Sequence, residues 1–169
     1  RIATGESWAE TPVGWNDARR IDLRLALEQW HGTTWPHLES AIVETNYPRL
    51  VQVFENPNSI KMASDDELFD ALLTLHSFHD SLRFHAGGIS GLRKAFIGGN
   101  DAGRVRDSLA YLVYGEEDLV QRMANVLYHG DRKLNTFGQS NVQELIGWRN
   151  KEDLPVINGR TTKILRYFG

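Results

Sequence analysis

Apolar residues along this chain recur every three or four positions, the spacing that places side chains on one face of an α-helix. Residues 17–31 show this spacing behind an Asn-Asp cap and stop at Gly32. Residues 101–114 show it again, before a stop at Gly115. Alternating, strand-like runs are nearly absent. The pattern therefore predicts an all-α fold of seven to nine short helices, with at most one minor pair of strands.

The strongest helix-start signal is the capping box at residues 64–67 (SDDE), whose Ser and Glu each satisfy a backbone amide of the first turn. The apolar run behind it predicts one helix that continues until the glycine pair beginning at Gly87. Upstream, we expect Pro48 to split or kink a helical pattern over 36–55, because proline lacks an amide donor. Residues 56–59 (NPNS) are interpreted as a loop.

At 169 residues the chain is long enough to bury the core of one domain. Residues 1–15 are polar and predict a loose N-terminal arm, while residues 16–169 predict a single compact multi-helix domain. The absence of cysteine excludes disulfides, thiolate zinc sites and a cysteine nucleophile. Because the chain begins at Arg1 and ends on Gly169, we interpret it as a fragment of a larger protein.

No apolar run approaches the roughly 20 residues that a membrane helix needs, and no signal peptide is visible. We therefore expect no membrane partner and a cytoplasmic location. The chain also lacks a phosphate-binding P-loop and a dinucleotide fingerprint, so no cofactor is expected.

Charge is unevenly distributed along the chain. The whole sequence has a formal net charge of −3, yet residues 130–169 contain seven bases and four acids and so carry +3. A locally basic end on an acidic body is the kind of electrostatic footprint that polyanion-binding proteins have.

The basic end also contains a candidate phosphate-binding turn. Residues 134–138 (LNTFG) combine two apolar residues with a glycine turn and lead directly into an apolar helical run. Such a hairpin presents backbone N–H groups beside the positive end of a helix dipole, where they suit a phosphate oxygen. We therefore predict that Gly138 and Ser140 contact the DNA backbone, and that Arg160 and Lys163 of a terminal helix add charge. The bases expected to extend this surface are Arg132, Lys133 and Arg149.

Residues 134–169 resemble the C-terminal portion of the helix–hairpin–helix DNA glycosylase superfamily. In that family a Leu-Pro-Gly-Val-Gly hairpin precedes an apolar helix, a Pro-Val segment with the catalytic aspartate, and a helix ending in Arg-Leu-Gly. The matching residues are Leu134 and Gly138 of the hairpin, Pro155 and Val156, and residues 166–169 (RYFG). The resemblance implies that residues 130–169 form a helix–hairpin–helix-like subunit that binds DNA.

The chain departs from the family pattern at two places. Thr136 stands at the first hairpin glycine, and Ile157 with Asn158 follows Pro-Val where the family has its aspartate. A neutral amide cannot activate water or stabilise a developing oxocarbenium ion as a carboxylate does. The resemblance therefore implies a non-catalytic DNA-binding module. The tail also resembles those of modules attached to bacterial restriction or defence proteins. This resemblance implies that the parent is a larger DNA-processing or defence protein, whose other domains are further partners.

Three alternative interpretations stay open. The hairpin unit also fits two ordinary helices joined by a glycine turn, with exposed Arg and Lys side chains in solvent. The acidic body or the Trp-rich beginning fits a helical protein–protein interaction module. His76 and His79 lie on one helical face and could supply two metal ligands, with His85 close by, and His79-Asp80 resembles the His-Asp dyad of helical metal-dependent phosphohydrolases. Ser81 follows where those enzymes usually have a glycine nearby, so we assign no catalytic residue and no metal ligand.

Overall fold

The computed structural model describes residues 16–33, 41–149, 161 and 163–165. All regular structure in these residues is helical, which confirms the predicted all-α class for the described part of the chain. Contacts divide the chain into two units, one of residues 40–156 and one of residues 1–39 with 157–169. The predicted arm over 1–15 lies outside the described residues. The single domain over 16–169 and the helix–hairpin–helix-like subunit over 130–169 stay predictions.

Nine α-helices have described bounds. They are α1 (Asp17–His31), α2 (Tyr47–Val53), α3 (Pro57–Met62), α4 (Asp65–Leu72), α5 (His76–Asp80), α6 (Ile89–Phe96), α7 (Ala102–Tyr114), α8 (Leu119–Tyr128) and α9 (Gln139–Arg149). A π-helical segment (Ala41–Asn46) runs into α2, and a 3-10 turn (Ser81–Phe84) follows α5. Thr161 and residues 163–165 are also helical. Across these stretches, no helix combines the length and apolar character needed to cross a membrane.

Helix α1 has the predicted ends but an unexpected surface. The Asn16 side chain accepts a hydrogen bond from the Arg19 N–H at 3.0 Å, and Gly32 ends the helix, so both boundary predictions are confirmed. None of the 15 residues of α1 is buried. The sequence pattern thus identified the helix without indicating what its apolar residues contact.

The core of the 40–156 unit is centred on phenylalanines. The Phe78 ring lies 5.9 Å from Phe69, 5.2 Å from Phe96 and 6.0 Å from Phe137, measured between ring centroids. All four rings are at most 2% exposed. Edge-to-face and tilted contacts of this kind add to the stabilisation that comes from burying large apolar side chains. The cluster joins α4, α5, α6 and the segment that precedes α9.

The single helix predicted from the capping box to Gly87 is wrong. Helix α4 ends at Leu72 and α5 begins at His76, although the intervening residues are not glycine or proline. The glycine break itself is confirmed, since Gly87 and Gly88 have φ angles of 90° and 58°. The earlier break depends on a contact from a distant part of the chain, described below.

The loop predicted at residues 56–59 is also wrong, because this segment starts α3. The Asn56 side chain accepts a hydrogen bond from the Ser59 N–H at 2.9 Å, and Pro57 occupies the first turn. Asn and Pro are frequent in loops, but together they also make a favourable helix start. Pro48 also lies in the first turn of a helix, α2, but the π-helical segment continues into α2 without a break, because Asn46 keeps helical angles. The predicted split is therefore not observed, and a kink at Pro48 stays a prediction.

Candidate nucleic-acid interface

The segment of residues 134–138 forms a tight connection between α8 and α9. Leu134 and Phe137 are each 2% exposed and anchor it in the core. Thr136 has a φ of 62°, a left-handed conformation that β-branched residues rarely adopt. Gly138 is exposed, and α9 begins at the next residue. Thr136 thus takes a backbone conformation that glycine favours.

A pair of asparagines fixes this connection to the end of α6. The Asn135 N–H donates to Asn100 Oδ1 at 2.8 Å, and Asn100 Nδ2 donates to the Asn135 carbonyl at 3.2 Å. Asn135 Nδ2 also donates to the Gly99 carbonyl at 2.6 Å. Reciprocal bonds of this kind satisfy backbone groups that lie outside helices. The start of α9 is therefore held by hydrogen bonds as well as by its two apolar anchors.

The backbone amide of Gly138 already has a partner within the chain. It donates to Asn141 Oδ1 at 2.8 Å, while Asn141 Nδ2 donates to Ser77 Oγ at 3.1 Å. Asn141 is 5% exposed, so its side chain is an internal connector between α9 and α5. Among the described residues, the donors left at the solvent-facing start of α9 are the amides of Gln139 and Ser140 and the exposed Ser140 hydroxyl.

A buried carboxylate joins α9 to α5. Glu144 is 6% exposed, and its two oxygens accept the backbone N–H groups of His76 and Ser77 at 2.7 Å each. The Trp148 indole N–H also donates to Glu144, at 3.1 Å. These bonds supply the acceptors that the first amides of α5 need, which explains why a new helix starts there.

The structure brings together only some of the predicted DNA contacts. Gly138 and Ser140 are exposed at the start of α9, and Lys133 is exposed in the preceding connection. Arg149 lies at the other end of that helix, about 14 Å away at 1.5 Å per residue. Its Nη2 donates to the Tyr114 hydroxyl at 3.0 Å, so Arg149 has a packing contact inside the unit.

Of the other three predicted bases, the structure describes Arg132 and Lys163. The Arg132 guanidinium covers the Tyr111 ring, with its Cζ 3.7 Å from the ring centroid. Lys163 is half-buried in a helical segment of the other unit. Arg160 lies outside the described residues. The roles of all seven predicted contact residues stay predictions.

The histidine cluster does not assemble a metal site in the described part of the chain. No group of three or more His, Asp or Glu side chains there is placed to hold a metal ion. His76 and His79 are exposed at the two ends of α5, and Asp80 pairs with Arg83 at 3.3 Å. The phosphohydrolase alternative therefore gains no support from this geometry.

Sequence reasoning missed the polar residues that organise this region. Glu144 interrupts an apolar run that is otherwise buried, and an acid at such a position is a signal for a buried partner. Asn100, Asn135 and Asn141 carry no comparable signal, because asparagine is common in exposed turns. Each of them acts through a residue far away in the sequence.

Comparison with known proteins adds no relative to this picture. No family model, no curated protein and no solved structure matches the chain.

Proposed function

We propose that this chain is a non-catalytic DNA-binding module that contacts the phosphate backbone at the start of α9. The observation that carries the proposal is the anchored hairpin of residues 134–138, which leads straight into a solvent-facing helix N-terminus. Gly138 and Ser140 lie at that end and are exposed, and Lys133, five residues before Gly138 in the sequence, is exposed as well. The positive end of a helix dipole together with free first-turn amides suits a phosphate oxygen.

The contact set is small, and this limits the expected affinity. The amides of Gln139 and Ser140, the Ser140 hydroxyl and the Lys133 ammonium group can reach one or two phosphates. Because each neutralised phosphate releases counter-ions, log Kd should change with log salt with a slope of about 1 to 2. Bases of the terminal helix, Arg160 and Lys163, would raise this slope if they face the same DNA.

Fluorescence anisotropy with labelled single-stranded, duplex and branched DNA tests the proposal at 50 and 200 mM salt. The variant is Lys133→Gln with Ser140→Ala. Its matched control is Lys94→Gln with Ser90→Ala, because Lys94 and Ser90 are exposed on α6 and Ser90 is the second residue of that helix, as Ser140 is of α9. Both double variants remove one positive charge and one hydroxyl.

We expect the α9 variant to bind about five- to tenfold more weakly, with a salt slope smaller by about 1, and the control to bind as the native chain does. Absence of binding at 50 mM salt, or equal losses in both variants, would refute the α9 site. A separate Arg160→Ala, Lys163→Ala variant reports on the terminal helix. An unchanged affinity and salt slope would remove those two bases from the interface.

We infer a second candidate function, a protein–protein interaction module, from the surface of α1. Ile21 and Leu25 lie four residues apart on one side of this helix, and each is about half exposed. Leu27 and Trp30, with 50% and 53% exposure, lie on the opposite side. Exposed apolar residues on a regular helix are typical of surfaces that pack against another protein.

The matched variants for this candidate are Ile21→Gln with Leu25→Gln, and Met62→Gln with Val120→Gln. Met62 and Val120 are 86% and 73% exposed and lie on different helices, so they form a scattered control. Binding of a fluorescent apolar dye should fall in the α1 variant and stay unchanged in the control. A thermal midpoint that falls only in the α1 variant would show that α1 is packed within the chain, which contradicts this candidate.

A further inference from the structure

A cavity of about 370 Å³ opens between α3, α7 and the turn that follows α8. Its charged lining consists of Lys61, Asp107 and Arg132, and its aromatic lining of Tyr111 and Tyr114. Ligand sites for small organic molecules fall in the range of about 300–1,000 Å³, with apolar walls and a few placed polar groups. The cavity is separate from α9's N-terminus, which contributes no residue to its lining.

The Arg132 side chain is held in this cavity by an aromatic ring and not by an acidic side chain. Its guanidinium lies over Tyr111, whose hydroxyl accepts a hydrogen bond from Asn125 Nδ2 at 2.7 Å and so holds the ring in place. Among the described residues, Arg132 has no carboxylate or carbonyl acceptor for its side-chain donors. A half-buried guanidinium fixed on an aromatic face keeps its planar fork available for an anion.

The available side-chain donors of Arg132 distinguish it from four other arginines of the 40–156 unit. Arg49, Arg93 and Arg106 each pair with an aspartate of α4. Arg122 is buried and donates to the backbone carbonyls of Leu112 and Glu117. Arg104 resembles Arg132 in having no ion pair within the described part of the chain, but it is exposed on α7 and does not line the cavity. Arg104 therefore provides a matched control for removal of one arginine.

Lys61 supplies a second cation that can turn toward a ligand. Its Nζ lies 3.9 Å from Asp107 Oδ1, and both side chains are more than half exposed, so the pair is weak. Tyr114 forms a rigid wall, because its hydroxyl donates to the Phe54 carbonyl at 2.6 Å and accepts from Arg149. Two cations beside fixed aromatic rings suit a ligand with a phosphate at one end and a flat ring at the other.

We propose that this cavity binds a nucleotide through its phosphate monoester. Arg132 and Lys61 hold the phosphate oxygens, and the base packs against Tyr114 and Pro57, with Asp107 accepting from a base or sugar donor. The phosphate monoester has two sources, a free mononucleotide or the 5′-phosphorylated end of a DNA strand. This site does not depend on the backbone contact at α9, and it survives if that proposal fails.

Isothermal titration of the full chain with adenosine 5′-monophosphate, adenosine and inorganic phosphate tests the assignment. We expect the monophosphate to bind at least about tenfold more tightly than either fragment of it. The Arg132→Gln variant should lose about tenfold or more in affinity, and Lys61→Gln about threefold, while Arg104→Gln binds as the native chain does. Thermal midpoints of all three variants show whether each is folded. If Arg132→Gln is not folded, the affinity of Lys61→Gln still tests the site.

Oligonucleotides with a 5′-phosphate or a 5′-hydroxyl identify the source. Preference for the phosphorylated strand that is lost in Arg132→Gln and kept in Ser140→Ala assigns the cavity to a DNA end, whereas tight monophosphate binding without such a preference assigns it to a free nucleotide. Equal binding of phosphate and monophosphate would overturn the nucleotide assignment. Absence of monophosphate binding at 10 mM, or equal losses in the Arg104 and Arg132 variants, would overturn the site.

Discussion

The first backbone N–H groups of α4 and of α5 both need hydrogen-bond acceptors. The two helices obtain these acceptors from different parts of the chain. At α4, the Glu67 N–H donates to Ser64 Oγ at 3.2 Å, and the Ser64 N–H donates back to Glu67 Oε2 at 2.8 Å. At α5, the position before the helix is Leu75, whose side chain has no acceptor. The two amides that follow donate instead to Glu144, 67 and 68 residues away in the sequence.

The two caps differ in solvent exposure as well as in the sequence separation of their partners. The α4 cap is exposed, so water replaces any bond that is lost there. Glu144 is buried, and its carboxylate is stable in that position only because several donors converge on it. A local cap adjusts the stability of one helix, whereas a long-range cap couples α5 to α9 and so to the candidate DNA interface.

Glu144→Ala should produce the largest effect, a loss of about 3 kcal/mol in the free energy of unfolding. The substitution removes the hydrogen bonds that Glu144 accepts from His76, Ser77 and Trp148, and it leaves a cavity between α5 and α9. Urea unfolding at neutral pH measures the loss, and amide exchange of His76 and Ser77 should speed up selectively. Glu144→Gln keeps the volume and one acceptor oxygen, and should cost about half as much.

Glu116→Ala is the matched control for that measurement, because Glu116 is an exposed acid with no side-chain contact among the described residues. We expect it to change the free energy of unfolding by less than about 0.5 kcal/mol. If Glu144→Ala is equally neutral, then α5 does not depend on α9 and the contrast between the two caps disappears.

Asn141→Ala should have the next largest effect, about 1.5 kcal/mol. This buried side chain accepts from the Gly138 amide and donates to Ser77 Oγ, so its loss removes a second connection between α5 and α9. Unfolding in urea gives the cost, and the double variant with Glu144→Ala gives the coupling. A non-additive sum would indicate that both residues stabilise one interface, while strict additivity would indicate independent contacts.

Ser64→Ala should cost less, about 1 kcal/mol, as is typical for removal of a serine N-cap. Exchange of the first α4 amides should speed up, and the α5 amides should be unaffected. A comparable acceleration at α5 would mean that the two helix starts unfold together, and the local character of the α4 cap would then be wrong. Thermal unfolding measures the stability change.

These two caps also explain which parts of the fold were predictable. Local sequence specifies three features, the capping box, the Asn16 cap and the Gly87 break, because each involves residues within a few positions of each other. The break before α5 depends on a carboxylate that approaches only after the chain has folded. The prediction for residues 56–59 was wrong for a different reason, because the same composition fits both a loop and a capped helix start. Only the burial of the following residue, Ile60, distinguishes the two.

The candidate interface also contains some features that the sequence predicts and others that it does not. Two apolar anchors and an immediate helix were predictable at residues 134–138 from their order in the sequence, and both anchors are buried. The partners of the basic side chains were not, because Arg149 meets Tyr114 and Arg132 meets Tyr111 across 35 and 21 positions. Local charge counts cannot distinguish a base that faces solvent from one that packs on a ring.

The smallest expected effect is the pH dependence of the α4 cap. The Ser64 backbone N–H, and after it the Ser64 hydroxyl, lower the pKa of Glu67 below its ordinary value of 4.5. A carboxyl with a lowered folded-state pKa contributes stability that is fully present above 4.5 and is lost as the pH falls through the folded-state pKa. The stability difference between the native chain and Glu67→Gln should therefore be constant at neutral pH and shrink in acid. Urea midpoints of both proteins from about pH 7 to about pH 3 measure it. With Ser64→Ala in both proteins most of this dependence should remain, because the backbone amide is its larger cause. A difference that grows in acid would contradict the capping role of the carboxylate.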